Sequence, residues 1–156
     1  MQQASFALDY GECFALLGVN GAGKSTTFKS LTREIAPTTG EITVQGYDVQ
    51  KQFSDARKLI GYCPQYDAIF PVLTVEETIK FYALIKGIRT HKIHEVVEKA
   101  IRELNLKDHR HKMAGTLSGG NKRKLSVAMA IIGNPPIILL DEPSAGMDPE
   151  ARRFMW

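Results

Sequence analysis

Gly18-Val19-Asn20-Gly21-Ala22-Gly23-Lys24-Ser25 has the spacing G-x-x-x-x-G-K-[ST] of a phosphate-binding loop. The glycines let backbone amides turn inward on phosphate oxygens, Lys24 neutralises β and γ oxygens, and Ser25, followed by Thr26, offers a hydroxyl to Mg²⁺. A helix starting near Gly23 adds its positive end. Such a loop needs a carboxylate at the end of a neighbouring strand, and the run Ile137-Ile138-Leu139-Leu140-Asp141-Glu142 ends in two. Asp141 would hold Mg²⁺, usually through water. Glu142 stands where a general base can polarise a water that attacks a γ phosphate. Taken alone, two acids after an apolar strand are an ordinary solvated strand end; the phosphate loop is what gives them chemistry.

A third candidate is Leu117-Ser118-Gly119-Gly120-Asn121, a serine and two glycines ahead of a strong helical run. Ser118 would donate a hydroxyl and the glycines leave amides open to an anion, although the same residues also make an N-cap with no ligand. Lys24 and Asp141 lie 117 positions apart, further than small GTPases and nucleotide kinases ordinarily place the two, and a helical stretch fills the gap.

The elements that must position these groups follow from apolar periodicity. Cys13-Phe14-Ala15-Leu16-Leu17 is a continuous apolar run between Gly11 and Gly18, the pattern of a strand buried on both faces. Glu41–Gln45 alternates and reads as a half-buried strand, and Leu59–Cys63 is a third, stopped by Pro64. From Tyr66 to about Thr116 the spacing turns helical. Thr74 and Glu77 form a capping box, Val75, Ile79, Tyr82 and Ile85 follow on one face, and Gly87 offers a stop. Thr90 opens a second helix with Ile93, Val96, Val97, Ala100, Ile101 and Leu104 in one stripe. After Ser118, the residues Leu125, Ala128, Met129 and Ile132 make a third stripe, ended by Gly133 and Pro135-Pro136. Ile137–Leu140 is then a fully apolar strand.

Composition bounds the rest. The chain has 156 residues, 44% apolar and 24% charged, with a net charge of +3, which excludes disorder and low complexity. No stretch reaches the ~20 apolar residues of a membrane span, and Met1-Gln2-Gln3-Ala4 opens no basic and apolar signal segment. Cys13 and Cys63 lack metal-ligand spacing, so a reducing compartment is expected. Charge is uneven: Lys80 to Lys124 holds twelve Lys or Arg against Glu95, Glu98, Glu103 and Asp108, a balance of +8, while the remainder sums to −5. A solvated helical face is favoured over a surface for an anionic partner.

Taken together, these residues resemble the ATP-binding cassette of ABC transporters. Five motifs match in order: the phosphate loop, a lone glutamine after the next strand at Gln65, the signature Leu117–Asn121, the strand ending in Asp141-Glu142, and Ser144-Ala145-Gly146-Met147-Asp148. The resemblance implies an α/β fold, a P-loop NTPase (RecA-like) core at 1–65 and 134–156 with an inserted helical subdomain at about 66–133. ATP and Mg²⁺ are the implied ligands. It further implies a second cassette paired head to tail, within the same parent chain, with ATP sandwiched between the phosphate loop of one and the signature of the other. Gln65 would contact Mg²⁺ and the attacking water, joining Lys24 and Glu142 in catalysis. Ser118 and Gly120 would face ATP held by the partner cassette, and Ser144 and Asp148 would lie in a loop at the dimer interface. Read without the resemblance, Asp148 is the helix N-cap that Asp-Pro-Glu makes, and both readings can hold together.

Asn121 in place of the usual glutamine, followed by Lys122-Arg123-Lys124-Leu125-Ser126, makes the chain look like the A subfamily, whose members are large eukaryotic transporters associated with lipid movement. Bacterial drug or polysaccharide exporter cassettes are the nearest competitors, and a non-transport cassette ATPase of DNA maintenance or translation is the rival from another class. The implied setting is the cytoplasmic face of a membrane, with transmembrane domains as partners and no nucleic acid. Two family features find no match: of the aromatics ahead of Gly11, neither Phe6 nor Tyr10 clearly takes the adenine-stacking slot, and no histidine follows Glu142 as the γ-phosphate switch. His91, His94, His109 and His111 all fall in the helical stretch and read as surface residues. The expectation is therefore a cassette cut at both ends, with little ATPase activity of its own.

Overall fold

The computed structural model describes residues 4–145 and Met147. The chain forms two compact units, residues up to 56 and residues from 57 onward. In the first, α1 (Lys24–Leu31) starts at Gly23, whose φ of 96° lies in the left-handed region and suits a residue without Cβ. Strands β1 (Thr43–Val44) and β2 (Tyr47–Asp48) pair antiparallel, Thr43 opposite Asp48 and Val44 opposite Tyr47. Gln45 and Gly46 between them both have positive φ, as a two-residue hairpin turn requires. The Glu41–Gln45 strand is thus real but shorter than the alternation predicts. A short helix, α2 (Phe53–Ala56), closes the unit and buries Ala56.

Cys13–Leu17 does not form the expected strand. It has no ladder partner among the described residues, and Leu17 is 89% exposed. An apolar run marks a candidate for burial on both faces, but a strand exists only where neighbours accept its amides and carbonyls.

The second unit carries the main core. Strand β3 (Ile60–Cys63) pairs in parallel with β4 (Ile137–Leu140), Ile60 opposite Ile137 and Cys63 opposite Leu140. The amide of Asp141 extends the ladder by donating to the Cys63 carbonyl at 2.9 Å. Three helices pack with this pair: α3 (Val75–Ile85), α4 (Thr90–Glu103) and α5 (Gly119–Ile131). The predicted capping box is complete, since the Glu77 amide donates to Thr74 Oγ1 at 3.2 Å and the Thr74 amide to Glu77 Oε2 at 2.8 Å. Val75 and Ile79 are buried as expected, whereas Ile85 is 62% exposed and Thr78 and Ala83 complete the inner face. On α4 the buried set is Ile93, Val97, Ala100 and Ile101, on the predicted stripe.

Helix α5 departs from a one-sided stripe. Every residue from Arg123 to Ala130 is buried, so the helix runs through the unit and not along its surface. Gly61 allows its close approach to β3: a Cβ there would lie 2.0 Å from the Ala130 carbonyl oxygen and 2.8 Å from Pro135 Cγ. A parallel strand pair with helices packed against it meets the α/β expectation at the level of the elements.

Candidate functional site

The phosphate loop is closed on itself by backbone and lysine contacts. The Ala22 amide donates to the Val19 carbonyl at 3.1 Å, turning the chain at Asn20-Gly21, and Gly18 packs so tightly that a Cβ would meet Ala22 Cβ at 3.0 Å. Lys24 Nζ donates to the carbonyls of Gly18 at 2.7 Å and Val19 at 3.1 Å, so its ammonium sits over the loop that the motif wraps around phosphates. Ser25 and Thr26 lie in the first turn of α1, where helical amides have no carbonyl partner behind them. Of the aromatics ahead of this loop, Phe6 stacks on Phe14 at 5.1 Å and Tyr10 is 88% exposed.

In the second unit, the ends of the two parallel strands bring two predicted residues together across 77 positions of sequence. Gln65 Nε2 donates to Glu142 Oε2 at 3.2 Å. Both side chains are exposed, while Asp141 beside them is only 4% exposed. Glu142 has φ 50°, a left-handed backbone uncommon outside glycine, asparagine and aspartate, at the position where a carboxylate must be aimed away from its strand. Open α/β sheets place ligands beyond the carboxyl ends of their strands, which is where Gln65, Asp141 and Glu142 lie. Cys63, the last residue of β3, is fully buried, and that burial pushes its thiol up to about 11.

The signature residues divide by role. Leu117 is a buried anchor at 6% exposure, whereas Ser118 and Gly119 are exposed at the start of α5. Ser118 Oγ accepts from the Asn121 amide at 3.4 Å, the N-cap that the sequence predicts. The Asn121 side chain reaches the His109 ring, Nδ2 to Nε2 at 2.9 Å, so His109 is not the simple surface histidine expected. Its other ring nitrogen is buried. Ser144 sits in a turn whose carbonyl accepts from the Met147 amide at 3.3 Å. Asp148 lies outside the described residues.

Sequence reasoning missed Arg123. It reads as one more cation of the basic stretch, yet it is 2% exposed and bonds to the segments that carry Gln65 and Glu142. No local signal sets it apart from Lys122 beside it, which is half-exposed; what buries Arg123 is the packing of strands distant in sequence against its face of the helix.

Residues 1–145 match the ABC transporter family. The chain belongs to that family. Retinal-specific phospholipid-transporting ATPase ABCA4 of Bos taurus is 53% identical over 146 residues, covering 94% of this chain and 6% of that protein. Phospholipid-transporting ATPase ABCA3 of Mus musculus is 49% identical over 156 residues, covering 100% and 9%. ATP-binding cassette sub-family A member 2 of Homo sapiens is 52% identical over 146 residues, covering 94% and 6%. This ABC chain thus spans less than a tenth of the length of these relatives, and the likeness to the A subfamily drawn from Asn121 and the residues after it holds. Among solved structures, an ATP binding subunit of an ABC transporter superposes with a TM-score of 0.86 at 31% identity, covering 96% of this chain and 62% of that one. A dimeric bacterial ABC transporter cassette gives 0.85 at 23% identity, covering 96% and 68%, which shows a shared fold. The expected α/β P-loop NTPase fold is the fold of this ABC chain.

Proposed function

We propose that this chain binds and hydrolyses ATP as the cassette of a transporter that moves phospholipid. The observation that carries the reading is the Gln65–Glu142 contact at 3.2 Å, at the ends of adjacent parallel strands, in a chain that also holds a complete phosphate loop. Glu142 accepts the proton of a water oriented by the Gln65 amide; the water oxygen bonds to the γ phosphorus as the bond to the ADP oxygen breaks. Lys24 and the amides of Gly18–Thr26 hold the phosphates and stabilise the charge that spreads over them. Residues 1–65 and 134–156 act as the RecA-like core and about 66–133 as the helical subdomain.

Mg²⁺ suits the donor set. It is a hard cation that keeps several waters and takes few protein ligands, so it needs no dense cluster, and among the described residues no group of three or more His, Cys, Asp or Glu is placed to hold a metal ion. Ser25, Asp141 and Gln65 would hold it, all through oxygen. When bound it supplies charge neutralisation of the phosphate oxygens.

The exposed Ser118 and Gly119, with Gly120, serve the nucleotide of a second cassette packed head to tail, and Ser144 and Asp148 line that interface. Phospholipid as cargo rests on the roughly half-identical relatives named for it. No helix among the described residues is long and apolar enough to cross a membrane, so transmembrane domains are partners supplied from outside these residues, with the cassette at their cytoplasmic face. The test is a pair of substitutions in the full chain that carries this cassette. Lys24→Ala should lose Mg·ATP binding in a titration, and Glu142→Gln should keep ATP but lose turnover. A Glu142→Gln protein that hydrolyses at the parental rate removes Glu142 as the base.

A further inference from the structure

Arg123 lies in the second turn of α5, two residues after the signature, and is 2% exposed. A buried guanidinium carries five N–H donors in a rigid fork and is tolerated only if they are met. Nη1 donates to the carbonyls of Pro64 at 2.5 Å and Gln65 at 3.3 Å, and reaches Asp67 Oδ1 at 3.4 Å. Nη2 donates to the carbonyls of Asp141 and of Glu142, the latter at 2.9 Å, and Nε to that of Pro143 at 3.2 Å. Asp67 is in turn held by Ser126 Oγ, which donates to it at 2.7 Å from one turn further along the same helix.

All five carbonyls belong to the two strand exits that carry Gln65 and Glu142. One fork therefore spans both segments and fixes their separation, to which the 3.2 Å contact between the two side chains is sensitive. It also grips the carbonyl of Glu142, the residue with φ 50°, and the carbonyls before and after it. No side chain with a single donor centre can meet acceptors spread over two strand exits.

We propose that Arg123 is the positioning residue of the Gln65–Glu142 pair, holding amide and carboxylate in register and tying both to the helix that begins at Ser118. This rests on the reading of Gln65 and Glu142 given above. The test uses the full chain with Arg123→Lys, Arg123→Ala and, separately, Glu142→Gln. It measures kcat and KM for ATP together with the affinity and stoichiometry of a non-hydrolysable ATP analogue. Arg123→Lys keeps the charge and most of the stem, so it carries the test if Arg123→Ala does not fold. The expected result for Arg123→Lys is a tenfold or greater fall in kcat, with KM, analogue affinity and stoichiometry within threefold of the parent. A kcat within twofold of the parent overturns the inference. So does a loss of turnover matched by an equal loss of binding stoichiometry, which marks a merely structural residue. If Glu142→Gln abolishes turnover while Arg123→Lys leaves it intact, this inference fails alone; if Glu142→Gln retains turnover, the reading beneath it fails.

Discussion

Gly61→Ala adds one methyl group to β3 and should be among the most damaging single changes in the second unit. The new Cβ would lie 2.0 Å from the Ala130 carbonyl oxygen, 3.0 Å from its carbon and 2.8 Å from Pro135 Cγ. Ordinary contact between carbon atoms is at about 3.5 Å or more, so the closest approach falls short by more than an ångström. Two of the three atoms are backbone, which no rotamer change can move. Helix α5 must therefore lift from β3, and α5 is buried from Arg123 to Ala130. Overpacking a close-packed interior costs about 1–3 kcal/mol and sometimes more. A clash with backbone belongs at the upper end, about 3 kcal/mol. For a chain of this length each kcal/mol moves the melting temperature by roughly 2–4 °C, giving a fall of roughly 6–12 °C. Thermal unfolding followed by far-UV circular dichroism, with a urea titration to check that the m-value is unchanged, measures it. A melting temperature within about 2 °C of the parent would refute the close approach of α5 to Gly61.

Thr74→Ala removes the side-chain half of the capping box and leaves the Glu77 amide without its acceptor; a loss of about 1 kcal/mol is expected from urea unfolding, and none would mean the box contributes nothing. Cys13 is exposed and Cys63 buried with its thiol raised to about 11, so a thiol reagent at pH 8 should label Cys13 at once and Cys63 only after denaturant is added. The raised value also has a sign: the buried thiol's contribution to stability is fully present below the unfolded value near 9 and is lost as pH rises through about 11, which urea midpoints from pH 8 to 11 would record. Arg110 makes a two-pronged contact with Glu76, at 2.8 and 2.7 Å, and reaches Glu98, holding the Glu76 carboxyl below its usual range. That stability is present above the ordinary glutamate value and lost as pH falls through the depressed one, so Arg110→Ala should lower the urea midpoint modestly at pH 7, the groups being partly exposed, and less at pH 3.

What could be read from the sequence depended on how local its cause was. The Thr74–Glu77 box and the Ser118 cap are fixed by residues three apart, and both form as expected. Ile137–Leu140 was legible as a strand because four apolar residues stand between Pro136 and Asp141, although its burial was not: Ile138 is 45% exposed and the other three are half-buried. Cys13–Leu17 carries an equally strong pattern and does not pair among the described residues, because a strand's second half is its neighbour, which no local pattern encodes. The same limit hid Arg123. A basic stretch reads as a solvated face, and Lys92 or Lys99 behaves so, but α5 packs against β3, β4 and α3, and Arg123 and Lys124 cannot follow. Gln65 and Glu142 were legible as types at the right places, while their contact, across 77 positions, needed the parallel pairing of β3 with β4.

Burial of Arg123 is better explained by geometry than by stability. Withdrawing a guanidinium from water costs several kcal/mol, and its one carboxylate partner, Asp67 at 3.4 Å, is itself 24% exposed and so only partly compensates. The remaining acceptors are neutral carbonyls, each returning less than a charge would. An apolar residue of similar volume would fill the space at lower desolvation cost, but it would leave five carbonyls of the two strand exits without the donors that bridge them. An arginine costs more and specifies more. That trade is reasonable where two side chains must meet at hydrogen-bond distance on segments that the sheet ladder no longer holds, because the β3–β4 register ends at Cys63 and Leu140. Beyond it, one ladder bond to Asp141 and the Arg123 fork link the two exits. The glutamine and the glutamate sit past that bond, where the fork grips the backbone carbonyl of each.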